Sequence, residues 1–397
     1  TERKIDEMID FIFQNPAKII FGKTALSHLG EEVAGYGQKV LMIYGGGSIK
    51  RIGLYDQVMA ILQGVGAQVW EIGGVKPNPR LDLVYQGIEI CREQGIDLVL
   101  AVGGGSAIDT AKAIANGACY DGDVWDLFTG KGNNADVLPL GVVLTIPAAG
   151  SEMSNSSVIT REEDLCKCGR NTPLNIPKFA ILNPEYTYTL PPFQTACGCV
   201  DIMAHMMERY FTQTEHVELI DRMTEGALRT VVGNAAIVMQ EPDNYDARAE
   251  IMWAGCLAHN TLFQTGRVGD WASHKLEHEL SALYDIAHGA GLAIVFPAWM
   301  KYVLPRGGAK KLAQFAVRVF DVPEDFGTEE DIASEGIARL EKFYRSLGLA
   351  TTLHEVGIDD RNFVRMAEHC VALMGGTVGA FVPLGVEDCV EIYRLGR

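Results

Sequence analysis

The chain has 397 residues, 48% hydrophobic and 21% charged, with 34 basic and 51 acidic side chains and a net charge of −17. These proportions describe a globular protein long enough for two domains, and the acidic balance, without any lysine or arginine block, argues against nucleic acid as a partner. The most apolar stretch, Gly289 to Met300, is about a dozen residues and contains Pro297, short of the ~20 that a membrane span needs, so it reads as a buried helix start.

The first residues, TERKIDEMIDFIFQNP, are charged and hold no apolar signal core, and the nine cysteines lack the paired spacing of a secreted scaffold. The expected compartment is the cytoplasm. Phe11, Ile12 and Phe13 make an apolar run suited to the edge strand of a homodimer. Cys166 and Cys168 are close in sequence, but with no second pair nearby both read as loop residues.

Up to about residue 190 short β-rich runs alternate with amphipathic helices. KVLMIYGGGS, AQVWEIGG, DLVLAVGGGS, LPLGVVLTIP and KFAILNP mark the strands. Runs that are continuously apolar are buried on both faces, which predicts a mainly parallel sheet with helices on each side. Between the second and third runs, Val84, Ile88 and Cys91 recur at i, i+4, i+7, the stripe of a helix over Arg80 to Gln94. Beyond Leu190-Pro191-Pro192 helical patterns follow one another, as in VELIDRMTEGALRTVV and AKKLAQFAVRVF, and the second half reads as all-α.

Two strands end in three glycines and a serine, Gly45-Gly46-Gly47-Ser48 and Gly103-Gly104-Gly105-Ser106. The second opens a helix at Ala107, so backbone N–H groups and the positive helix end face whatever lies above the strand, a place for a pyrophosphate. Neither loop matches G-x-G-x-x-G or the Walker lysine pattern, and glycine-rich βα turns are also plain tight connections, so spacing alone leaves both readings open. Thr145 with Gly150-Ser151-Glu152 follows a further strand. This cluster is placed to contact ribose or carboxamide, or to cap the next helix through Ser151, and the two roles can coexist.

Asp201 and His205 stand four apart in VDIMAHMMERY, on one face of a helix and ~6 Å apart along its axis. Downstream, WASHKLEHELSALYDIAHG holds His274, His278 and His288. His274 and His288 are ~21 Å apart on an unbroken helix, so joint ligation requires the chain to fold back, with Tyr284-Asp285-Ile286 as the break. A single histidine is more often a half-buried bystander, but four of the nine in two short segments beside an aspartate indicate a metal site. One carboxylate with imidazoles and no cysteine suits Fe(II), Zn(II), Co(II) or Ni(II) better than Ca(II) or Mg(II). Spacing alone pairs His274 with His278.

GGGSAIDTAK, TIPAAGSE, VDIMAH and the H-x3-H-x9-HG run, in this order, resemble the iron-containing (group III) alcohol dehydrogenases. YGGGSIK, GLYDQV, VKPNP and SALYDIAHGAGLAIVFPAWMKYV look like that family's butanol dehydrogenase branch of NAD(P)H-dependent alcohol and aldehyde reductases. The resemblance covers nearly the whole chain. It implies a Rossmann-like nucleotide domain over residues 1–190, an all-helical metal-binding domain over 191–397, and an active site in the cleft between them. By motif, the implied metal ligands are Asp201, His205, His274 and His288, holding Fe(II) or, second, Zn(II). His278 then becomes a proton relay or substrate contact. Gly104, Gly105, Ser106 and Asp109 match the pyrophosphate loop, Thr145 the nicotinamide side, Asn78 another cofactor position and Lys167 a ribose-binding lysine. Where many relatives carry threonine, this chain has Ala149.

Relatives restricted to NAD resemble one another in an aspartate near the first glycine loop. Here Gly45, Gly46 and Ser48 are followed by Lys50 and Arg51 with no carboxylate, which favours NADP(H) over NAD(H). The expected reaction is hydride transfer between the nicotinamide and a small aldehyde or primary alcohol such as butanal or butanol, in a homodimer. Glycerol dehydrogenase-like polyol oxidation is the rival within enzymes, and a metal-storing protein on a vestigial nucleotide fold is the rival outside them.

Overall fold

The structure, a computed structural model, describes residues 7–397. Those residues form two compact units. One joins Gln14–Leu190 to Pro242–Asn260, and the other joins the residues up to Phe13 to Pro191–Glu241 and Thr261–Arg397.

The first unit holds strands β1 (Lys18–Phe21), β2 (Lys39–Gly45), β3 (Gln68–Val75), β4 (Leu98–Gly104), β5 (Leu140–Ile146), β6 (Ser156–Arg161), β7 (Cys166–Asn171) and β8 (Phe179–Leu182). Six of them make one sheet in the order β1-β8-β5-β4-β2-β3, parallel at every pairing. Helices α1 (Leu29–Ala34), α2 (Ser48–Arg51), α3 (Leu54–Gly64), α4 (Leu81–Gln94), α5 (Gly105–Ala118) and α6 (Val124–Phe128) run between the strands. Alternate strand residues bury on opposite faces. Leu41, Ile43, Val99, Ala101 and Val142 meet Val84, Ile88 and Cys91 of α4 with Ile108 and Ala111 of α5. Val40, Met42, Leu98, Leu100 and Val143 meet Leu54, Val58 and Leu62 of α3 on the other side. Burial on both faces is why these strands read as unbroken apolar runs.

The second unit is helical: α7 (Pro192–Tyr210) and α8 (Glu218–Gln240) come first, and after α9 (Tyr245–Ala258) come α10 (Ala272–Tyr284), α11 (His288–Val303), α12 (Ala309–Phe320), α13 (Glu329–Ser346), α14 (Phe363–Leu373) and α15 (Val386–Leu395). Leu312, Phe315, Ala316 and Val319 are the buried stripe of α12. The fold-back between His274 and His288 falls where the turn residues place it: α10 ends at Tyr284 and Asp285 takes φ 52°, a left-handed cap.

The single division at 190/191 is too simple, because α9 lies in the sheet unit. The Cys256 thiol donates to Glu152 Oε1 at 3.0 Å, His259 Nδ1 lies 2.8 Å from the Ala149 carbonyl, and a Cβ on Gly150 would stand 2.6 Å from the Gly255 carbonyl oxygen. An amphipathic stripe tells that a helix docks, not on what. A second correction concerns Cys166 and Cys168, which are not in a loop. They lie on β7, opposite Arg161 and Ile159 of β6 in a two-stranded antiparallel hairpin. CKCGRN is short and mostly polar, and its strand character comes from packing of Ile159, Cys166 and Cys168 against the sheet's core.

Candidate active site

Helix α7 carries Asp201 and His205 on one buried face, with the His205 Nδ1 2.9 Å from the Asp201 carbonyl oxygen and 3.1 Å from Asp201 Oδ1. Two imidazoles from the other segment approach the same carboxylate oxygen: His274 Nε2 of α10 at 4.0 Å and His288 Nε2 at the start of α11 at 3.8 Å. The ring centres of His205 and His274 are 4.6 Å apart, and those of His274 and His288 5.3 Å. Ligand atoms ~2.1 Å from one ion lie ~3.4 Å apart at the tetrahedral angle, so this spacing is slightly more open than a closed shell. His278, one turn after His274, stands beyond His288, its ring centre 5.6 Å from that of His288.

Each of the two distant imidazoles is braced at its other nitrogen. Glu208, one turn after His205 on α7, receives His274 Nδ1 at 2.8 Å and the His274 N–H at 2.9 Å on Oε1, and the Trp271 N–H at 2.6 Å on Oε2. Glu277 of α10 receives His288 Nδ1 on one oxygen and the Ser281 hydroxyl on the other. A carboxylate accepts, so Nδ1 of each ring carries the proton and Nε2 turns its lone pair toward Asp201. Burial, reinforced by Asp270, pushes the Glu208 carboxyl well up, while the N–H groups of His274 and Trp271 and the Arg209 charge oppose this. Three donors on two oxygens at a helix N-terminus are the setting of an anion. Neither glutamate stands out in sequence, although each lies on a helical face with a histidine, three residues from His205 and from His274.

Gly289 sets the approach of α11. A Cβ there would stand 2.1 Å from the Cys197 carbonyl oxygen on α7, one turn before Asp201, so only glycine lets His288 come this near to Asp201. The donor set, one carboxylate oxygen and imidazole Nε2 atoms with carboxylates behind them, fits a borderline divalent cation.

In the sheet unit, the glycine loops follow neighbouring strands. Gly45 ends β2 with Gly46 and left-handed Gly47 (φ 107°) before Ser48 opens α2, and Gly104 ends β4 before Gly105 and Ser106 open α5. From β2 the chain runs to β3 on one side and returns to β4 on the other, so both loops flank the sheet's topological switch point. A Cβ on Gly104 would stand 2.9 Å from Ile146 Cβ and one on Gly105 3.0 Å from Ala149 Cβ, which holds the backbone of this loop tight against the end of β5, where Thr145 is buried.

Asp109 turns inward. Its Oδ1 accepts from the Ser151 hydroxyl at 2.6 Å and its Oδ2 from the Val158 N–H at 3.0 Å. Behind them buried Lys112 donates to Ser151 Oγ, the Ser154 carbonyl and the Ser156 carbonyl at 2.8, 2.9 and 2.7 Å. Burial lowers the Lys112 ammonium to about 8, with Asp109 and Glu152 opposing. Ser151 is therefore a link in this network and not the helix cap; Gly150 stands at the cap position. The hairpin so tied to α5 carries Lys167, whose Nζ donates to Asn78 Oδ1 at 3.0 Å, joining two positions 89 residues apart. Asn78 itself is buried and takes φ 53°.

Residues 16–184 match the model of the iron-containing alcohol dehydrogenases, and residues 195–395 match that of the C-terminal part of the same family. The chain belongs to the iron-containing alcohol dehydrogenase family. Within that family it is 48% identical over 387 residues to a probable NADH-dependent butanol dehydrogenase 1 of Bacillus subtilis, covering 98% of this chain and 99% of that one. It is 38% identical to the NADPH-dependent aldehyde reductase YqhD of Escherichia coli, with 93% and 95% covered. The crystal structure of the NADH-dependent butanol dehydrogenase A of Thermotoga maritima superposes with a TM-score of 0.94 at 40% identity, over 98% of this chain and 99% of that one. Both the resemblance and the fold class read from the motifs hold for this family member: a parallel-sheet unit and a helical unit. No described helix is long and apolar enough to cross a membrane.

Proposed function

We propose that this family member interconverts a small aldehyde and its primary alcohol with a nicotinamide nucleotide, in the size range of butanal and butanol. The observation that carries this reading is the convergence of His205, His274 and His288 on Asp201 with glutamates behind two of the three rings. Asp201, His205, His274 and His288 would hold Fe(II). A divalent cation bound there supplies Lewis acidity to the substrate oxygen, and a bound nicotinamide supplies or accepts the hydride. The chain's own part is orientation: Glu208 and Glu277 hold two rings in one tautomer, and Gly289 holds α11 against α7. His278, which stands with Glu277 beside His288, would deliver or remove the hydroxyl proton.

For the nucleotide, Gly45, Gly46, Ser48, Gly104, Gly105 and Ser106 would approach the phosphates, Thr145 the nicotinamide, and Asn78 with Lys167 the ribose. Asp109 acts through Ser151 and Val158. NADP(H) is favoured because Lys50 and Arg51 follow the first loop; Lys50 Nζ rests 4.5 Å from the centre of the Tyr55 ring and 5.1 Å from that of Tyr44. The relatives are divided, since four relatives at 44–48% identity, two from Clostridium acetobutylicum and two from Bacillus subtilis, are named NADH-dependent and YqhD NADPH-dependent. The nine cysteines, none of them in a disulfide, suit a reducing cytoplasm, and Ile12, 97% exposed between exposed Phe11 and Phe13, offers an apolar face to a second copy.

Elemental analysis of protein purified without oxygen, paired with NADPH and NADH oxidation on butanal and glycerol, tests the whole. One iron per chain, butanal turnover and a higher kcat/KM with NADPH are expected. Turnover on glycerol alone, or none with any aldehyde, overturns the reaction, and a higher kcat/KM with NADH overturns the nucleotide preference.

A further inference from the structure

Cys166 and Cys168 are separated by one residue on β7, so their side chains share a face of the strand, with their sulfurs 3.0 Å apart. We propose that these two thiols form a reversible disulfide that weakens nucleotide binding through Lys167, the residue between them. This rests on the nucleotide reading above.

The geometry permits the bond and makes it labile. Two strand residues i and i+2 have Cα atoms ~6.6 Å apart, just inside the ~6.8 Å limit for a disulfide and beyond its usual ~5.5–6 Å. Closing the bond therefore puckers β7, and a strained disulfide of this kind is readily reduced, as a switch requires. Cys168 is partly exposed midway along the strand, whereas Cys166 is buried beside the turn, opposite Arg161.

The oxidant is a low-molecular-weight disulfide such as oxidised glutathione. The Cys168 thiolate attacks one of its sulfurs and releases one thiol; the Cys166 thiolate then attacks Cys168 Sγ and releases the second. Two protein thiols are oxidised, one external disulfide is reduced to two thiols, and the cysteine protons pass to the released thiolates.

Lys167 is what links this chemistry to the ligand. It points to the opposite face of the strand and gives its ammonium to Asn78 Oδ1 at 3.0 Å. The hairpin reaches that segment by backbone bonds as well, with the Thr160 N–H donating to the Pro79 carbonyl at 2.8 Å and Thr160 paired to Lys167. Puckering β7 between residues 166 and 168 turns the intervening Lys167 away from Asn78. Loss of one charge-assisted contact corresponds to about a tenfold change in affinity.

The test treats the holoenzyme with oxidised glutathione, maps disulfides by peptide mass, and titrates NADPH by its fluorescence with and without dithiothreitol. A Cys166–Cys168 peptide, about tenfold weaker NADPH binding and full recovery on reduction are expected, with Cys166→Ser and Cys168→Ser insensitive to the oxidant. If no such peptide forms while other cysteines react, or if it forms and NADPH binds unchanged, the switch is overturned. If the reduced enzyme binds no NADPH or NADH at all, the nucleotide reading itself fails, and the peptide map still decides whether the disulfide forms.

Discussion

His274 Nδ1 lies 2.8 Å from Glu208 Oε1, so α7 supplies Asp201, His205 and also the anion that orients an imidazole on α10. Removing the charge while keeping the shape, Glu208→Gln, leaves the ring free to turn and unties the N-terminus of α10. Metal affinity is expected to fall 10–100-fold, as read by competition with a chelator. Affinity equal to that of the unaltered protein would show that His274 is held by something else.

The two histidines of the i, i+4 pair on α10 are expected to separate in their effects. His274→Ala loses metal and turnover together, whereas His278→Ala keeps its metal and loses ~10²–10⁴ in kcat, the scale of a general acid–base group. Metal analysis beside steady-state rates checks this, and loss of metal in His278→Ala would move that residue into the ligand set.

Gly289 has no room for a methyl group, since a Cβ would stand 2.1 Å from the Cys197 carbonyl oxygen, a backbone atom that cannot swing aside. Gly289→Ala should push α11 off α7, separate His288 from Asp201 and destabilise the fold by about 1–3 kcal/mol. Metal retention after dialysis, together with urea unfolding, measures both effects. Undiminished retention would mean that the close approach does not place His288.

Buried Lys112 predicts a pH dependence. Its folded value of about 8 lies below the ordinary 10.5, so within that window the unfolded chain binds the extra proton and the site's contribution to stability rises with pH. Lys112→Met strands Ser151, Ser154 and Ser156 and should cost about 3 kcal/mol at neutral pH. The difference between unaltered protein and variant should then widen from about pH 8 to 10.5 in urea melts. A difference that is flat or shrinks across this range would mean that the lysine is not desolvated.

Local patterns alone determine a good deal of this protein. The apolar runs that become β2, β4, β5 and β8 name a parallel sheet because burial on both faces leaves no polar alternation, and the stripe on α4 follows from helical period. The turn at Asp285 is legible because few non-glycine residues accept a left-handed cap, and that turn is what brings His288 back toward His274. Other features depend on residues distant in sequence. Nothing in CKCGRN announces a strand, since its pairing with β6 and its packing on the sheet's core supply the stability that its composition lacks. Asp109 reads as a ligand-side carboxylate until Ser151 and Val158 occupy both its oxygens. Glu208 and Glu277 are two ordinary acidic residues until the folded helices set them behind His274 and His288. Residue spacing along one helix shows which side chains share a face; which distant partner waits opposite that face is settled only when the whole chain packs.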